Sequence, residues 1–141
     1  MNLPVASSDL ESLIPHRPPI RWIDSLVECT ETEAKATVSF SKNHFAVHDG
    51  KIAESALVEC VAQTVAAGFG WLSRQTGTDG KPAGGVLAAV TRFTVEQAIP
   101  LETPLEISVK QLKRLGPMVM IGGRITSAGQ LIAAGHISVY G

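Results

Sequence analysis

Cysteine is scarce in this chain: Cys29 and Cys60 are the only two, far apart and with no histidine pattern beside them. That spacing excludes a disulfide framework and gives no zinc-site signature, so reduced thiols are expected. An excess of charge of one sign is missing as well. Lys and Arg number 12 against 13 Asp and Glu, a formal net charge of −1, so no basic field exists to hold a phosphate backbone and nucleic acid is not an expected partner. The opening stretch, MNLPVASSDLESLIPHRPP, lacks a basic leader followed by an apolar run, and a cytoplasmic location is the expectation. No repeat or low-complexity tract interrupts the chain. An uncharged run of membrane length is also lacking. The nearest approach, Ser55 to Leu72, contains Glu59, Gln63, Thr64 and two glycines, and lipid would have to accommodate that carboxyl group. A buried helix of a soluble domain is the better expectation, with no membrane partner.

What is present fits one domain over residues 1–141, with 45% hydrophobic and 18% charged content, enough chain to close its own core. Ser8-Asp9-Leu10-Glu11 has the Ser-x-x-Glu pattern of a helix start, which predicts a short helix over Leu10 to Ile14, stopped by the prolines of PHRPP at 15–19. Ile20 to Cys29 and Glu33 to Phe40 read as strands with a turn at Thr30-Glu31-Thr32; the second alternates Ala34, Ala36, Val38 and Phe40 with polar neighbours. After Lys51 the pattern becomes nearly continuous apolar surface, from Ala53 through Leu72, which predicts a long helix wrapped on most sides. A loop at 76–85 follows, then four strands: Val86 to Val95, Pro104 to Leu115, Met118 to Thr126 and Leu131 to Tyr140. Gly116-Pro117 and SAGQ form short breaks suited to antiparallel hairpins. The fold class is α+β, an antiparallel sheet wrapped around one central helix. Because a sheet covers only one side of an apolar cylinder, a second chain is expected to cover the rest, and a dimer follows.

Ser55, Glu59 and Gln63 recur every four residues and share one helix face. A structural carboxylate held by Gln63 is one reading of Glu59. Yet no Lys or Arg lies between Ala53 and Ser73 to neutralise it, and a carboxyl in apolar surroundings keeps its proton to higher pH, as a proton donor must. His44 and His48 precede the helix and either could be a base, although a loop histidine is more often an ordinary surface residue. His16, among prolines, reads as a turn residue, and His136 has no partner in the pattern. A metal held by His44, His48 and Asp49 matches no familiar ligand spacing; no metal and no organic cofactor is expected. The first-turn N–H groups near Glu54 and Ser55 have no internal acceptors and can polarise a carbonyl oxygen.

LIPHRPPIRWIDSLVE (13–28), His44-Phe45 and LVECVAQ (57–63) resemble segments of the hotdog-fold 3-hydroxyacyl-[acyl-carrier-protein] dehydratases of fatty acid synthesis. Those enzymes carry a Leu-Pro-His-Arg start, a Gly-His-Phe-Pro loop, and a helix with Glu or Asp four residues before Gln. The helix sequence from Gly50 through Val65 is closer still to the dehydratase-like branch of aryl-polyene pathways. Where the motif has Gly before its histidine and Pro after, this chain has Asn43 and, depending on alignment, Ala46 or Val47. The resemblance implies that a histidine takes a proton from C2 of a 3-hydroxyacyl thioester while a carboxylic acid of the opposite subunit protonates the departing 3-hydroxyl. Carried over, His44 is the base, His48 the alternative base, Glu59 the acid, Gln63 its orienting partner, and Phe45, Glu54 and Ser55 support the substrate. The thioester would be borne by acyl carrier protein or coenzyme A, in a homodimer or a heterodimer with a related hotdog subunit, and the acyl chain would run between subunits beside Ala62, Ala66 and Ala67. A hotdog acyl thioesterase, or a weakly catalytic acyl-binding subunit paired with an active dehydratase, are the alternatives.

Overall fold

Period-two alternation in the last third of the chain builds most of the sheet, and the long apolar segment fills it. The computed structural model describes residues 2–10, 12–14, 22–77 and 86–140, apart from the side chains of residues 7, 8 and 86–88. In order these form β1 (Val5–Ala6), α1 (Ser7–Leu10), β2 (Ser25–Cys29), β3 (Glu33–Val38), β4 (Val47–His48), β5 (Lys51–Ile52), α2 (Glu54–Thr76), β6 (Val86–Val95), β7 (Leu105–Leu115), β8 (Met118–Ser127) and β9 (Gln130–Tyr140). One seven-stranded sheet has the order β1-β2-β3-β7-β8-β9-β6, and every neighbouring pair is antiparallel. Strands β4 and β5 form a separate two-stranded ribbon.

Along β7, Leu105, Ile107 and Val109 are buried between exposed Glu106 and Lys110, and β8 buries Val119, Ile121, Gly123 and Ile125 in the same rhythm. These inward rows, with Ala34, Ala36 and Val38 of β3, form the floor on which α2 lies. Each large side chain taken wholly out of water there contributes roughly 1.5–3 kcal/mol. The 23 residues of α2 span about 35 Å at 1.5 Å per residue. By length and composition this helix could cross a membrane, but 67% of its apolar window is buried inside the fold. It ends at Gly77, whose left-handed φ of 71° lets its N–H reach the carbonyls of Arg74 and Ser73.

Several sequence expectations shift in detail. The short helix begins three residues early, at Ser7, and Leu10, Leu13 and Ile14 then close a turn through N–H groups bonded to Leu10 O at 2.8 and 3.1 Å. All three side chains are fully buried. The capping partner Glu11, the PHRPP segment with His16, and Ile20 lie outside the described residues. Part of the helix's outer side is covered from within the chain. The N-terminal segment already lies across α2 so closely that a Cβ on Gly70 would collide with the Leu13 carbonyl. At the start of the helix Glu54 and Ser55 are exposed and Val58 and Glu59 half-buried.

Candidate active site

Gln63 is the hub. It sits mid-helix with 0% exposure, where a primary amide is tolerated only with its donors and acceptor engaged. Its Oε1 accepts from Trp22 N at 2.8 Å and more weakly from Ile23 N at 3.4 Å. Because backbone N–H groups can only donate, the amide orientation is fixed, and Nε2 is turned to Glu59, donating to Oε1 at 3.2 Å. The i, i+4 spacing seen in the sequence thus becomes a chain that runs from the segment before β2, through Gln63, to a half-buried carboxyl group.

Trp22 carries that chain to the histidine. Its indole meets the His44 imidazole edge-on, with centroids 5.3 Å apart, while Phe40 approaches the other way at 5.2 Å and Phe45 stacks on the imidazole at 4.9 Å and 19°. Phe40 is 1% exposed and anchors the group; Phe45 is 58% exposed. The His44 loop is tightly turned: His44 N donates to Ser41 O and Val47 N donates to His44 O, each at 2.9 Å. Ala46 is held from both sides, its carbonyl accepting from Ala53 N at 3.0 Å and its N–H donating to His44 Nδ1 at 3.1 Å. Partial burial among the rings pushes the His44 pKa below its ordinary 6.5, because an imidazolium loses hydration there.

The other sequence candidates fall apart from this cluster. His48 is exposed on β4, paired with Lys51 across the ribbon. That ribbon turns at Asp49-Gly50, both with positive φ (54° and 74°), the geometry of a two-residue hairpin turn. Glu54 and Ser55 are exposed in the first turn of α2, which follows extended Ala53 and has no side-chain cap; Ala56 N is bonded to Ala53 O at 3.0 Å. An open groove of about 580 Å³ lies beside them, lined by residues including Lys51, Glu54, Gln97 and Ile99. Ala62, Ala66 and Ala67 are buried in the packed core. A second groove of about 520 Å³, bordered by Lys35, Lys110, Arg124 and His136, lies on the opposite face of the sheet by strand alternation. Among the described residues no three His, Cys, Asp or Glu side chains come together as a metal site. Sequence reasoning missed Trp22, Phe40 and Ala46. Trp22 and Phe40 were visible only as members of strand patterns, and Ala46 acts through its backbone, which leaves no trace in a side-chain motif.

A large antiparallel sheet wrapped on one long helix is the hotdog fold, and this chain has it. The chain belongs to the ApeP-like family, described as ApeP dehydratase, matched over residues 8–141. Its fold is similar to that of the dehydratase heterocomplex ApeI:P from Xenorhabdus doucetiae, with TM-score 0.84 and 19% identity over 99% of this chain and 91% of that one. It is also similar to Cj0977, a sigma28-regulated virulence protein from Campylobacter jejuni, with TM-score 0.68 and 13% identity over 93% of each chain. A hypothetical thioesterase protein from Streptococcus pneumoniae TIGR4, solved with coenzyme A, is similar with TM-score 0.64 and 13% identity over 82% of this chain and 85% of that one. No curated protein matches the chain.

Proposed function

We propose that this chain is a subunit of a dimeric dehydratase that removes water from a 3-hydroxyacyl thioester, borne by acyl carrier protein or coenzyme A, to leave a trans-2-enoyl thioester. The observation that carries this reading is the linked set Glu59, Gln63, Trp22 and His44, together with membership of the dehydratase family. In the reaction the C2–H bond breaks and its proton goes to the imidazole. The electron pair forms the C2=C3 bond, the C3–O bond breaks, and the hydroxyl leaves as water with the proton of the carboxyl group. His44 is the base and Glu59 the acid, each meeting its counterpart across the subunit boundary. First-turn N–H groups of α2 polarise the thioester carbonyl.

Two features support a dimer. Strand β6 ends the sheet, and its 10 residues include no Pro or Lys, leaving a long edge with Val90 46% exposed; such an edge invites another strand. The half-open Val58 and Glu59 face needs a cover if the carboxyl is to work out of bulk water. The heterocomplex among the similar structures favours a related hotdog subunit as that cover, with a second copy of this chain as the other option. The coenzyme A-bound neighbour favours thioester hydrolysis as the second reading.

One experiment separates the readings. The dimer is incubated with a 2-enoyl or 3-hydroxyacyl thioester while enoyl absorbance and free thiol are followed together. Dehydration changes the absorbance without thiol release, and it collapses in Glu59→Gln and His44→Ala. Thiol release without an enoyl change supports the thioesterase. Full activity in His44→Ala with none in His48→Ala overturns the base assignment.

A further inference from the structure

The backbone of Ala46 controls the chemistry of the ring two residues before it. A main-chain N–H can only donate, so the nitrogen that accepts from it must present a lone pair. Ala46 N lies 3.1 Å from His44 Nδ1 in that relation, and the neutral ring therefore carries its hydrogen on Nε2. Ala46 cannot easily give way: its carbonyl is tied to Ala53 N at the entry of α2, and the next residue's N–H is tied back to His44 O. Trp22, Phe40 and Phe45 pack around the imidazole, so the ring is not free to flip over and exchange its nitrogens.

Nε2 is left as the nitrogen that can meet a substrate, and in this tautomer it offers an N–H where a base needs a lone pair. To accept a proton on Nε2, the ring must first shed that hydrogen and take one on Nδ1, where it would confront the Ala46 N–H, donor against donor. We propose that Ala46 is a positioning residue that holds His44 in the Nε2–H tautomer and so gates its use as the base. In the resting protein the ring is a hydrogen-bond donor, suited to a thioester or hydroxyl oxygen. It takes the C2 proton only after the ring hydrogen moves from Nε2 to Nδ1 through solvent and the Ala46 contact opens. The rate consequence rests on the proposed dehydration; the tautomer does not.

Proline at position 46 has no N–H to donate, whereas glycine keeps it. The test is a two-bond hydrogen–nitrogen correlation spectrum of the nitrogen-labelled full chain at a pH where His44 is neutral. In the wild type and in Ala46→Gly, the His44 signals are expected to show hydrogen on Nε2 and a bare Nδ1. In Ala46→Pro the balance shifts toward Nδ1–H by on the order of 5–10-fold, the weight of one neutral hydrogen bond, and kcat for dehydration rises in step while KM holds. Hydrogen on Nδ1 in the wild type, or an unmoved balance in Ala46→Pro, overturns the assignment. A shifted balance with unchanged kcat overturns the gate. A chain that dehydrates no thioester in any form sinks the proposed reaction, and the ring spectrum still decides the tautomer.

Discussion

Replacing Gln63 by Met keeps most of the side-chain volume, so the cavity and overpacking terms stay small, but it removes the oxygen that receives Trp22 N at 2.8 Å and Ile23 N at 3.4 Å. Taking the acceptor from a buried N–H costs about 1–3 kcal/mol, and a bond as long as the second adds little. The Nε2 contact to Glu59 at 3.2 Å is lost with it, on a half-buried carboxyl that water can reach. Gln63→Met is therefore expected to lower unfolding stability by about 1–3 kcal/mol. The measurement is urea unfolding at one fixed protein concentration, since the proposed dimerisation would make stability concentration-dependent. Gln63→Glu separates the two halves of the role: it retains an acceptor for Trp22 but replaces the Nε2 donor to Glu59 with a second carboxyl group, a like-charge pair. A Gln63→Met protein within about 0.5 kcal/mol of wild type, the range of ordinary surface changes, would refute the idea that this amide ties the helix to the Trp22 segment.

Gly70→Ala would gain about 1 kcal/mol of helix propensity in isolation, yet its Cβ meets the Leu13 carbonyl, and a net loss of about 1–3 kcal/mol in thermal or urea unfolding is expected. Burial pushes the Cys29 thiol up to about 11 and, with the nearby charges of Glu59 and Asp24 adding to burial, raises Cys60 further; alkylation near pH 8 should be slow at Cys29 and absent at Cys60 until the chain unfolds, as mass spectrometry would read. His44, whose folded pKa is depressed by burial below 6.5, stabilises the fold fully above that value. As pH falls below it the unfolded chain binds the proton first, so stability declines down through the folded pKa, and His44→Gln should flatten that slope in urea midpoints taken from neutral pH to about pH 5.

The strands after the helix were legible as apolar-rich runs bounded by turn residues, with a wet and a dry face alternating in β7 and β8: Val86–Val95 is as expected, and β7, β8 and β9 differ from expectation by a single residue at one end. The long helix was legible for the opposite reason, an apolar surface too continuous for a strand, and its polar residues marked Glu59 and Gln63. Two-residue strands such as β1 have no period to detect. The β4–β5 ribbon could have been found from Asp49-Gly50 between Val47-His48 and Lys51-Ile52, a strong hairpin signal that the histidines beside it obscured. The route from Glu59 to His44 was not legible, because it passes through the main chain of Trp22 and then its ring, and the separate hold on His44 Nδ1 comes from the N–H of Ala46. Backbone groups are the same in every residue, and only the fold decides which of them a side chain meets.

The central claim is that Glu59, steered by Gln63, supplies the proton that lets water leave. It is tested most directly by the turnover of a 3-hydroxyacyl thioester by the Glu59→Gln protein against the wild type. Wild-type folding with a loss of at least about 100-fold in turnover is the predicted result; turnover within a few-fold of wild type would contradict the account.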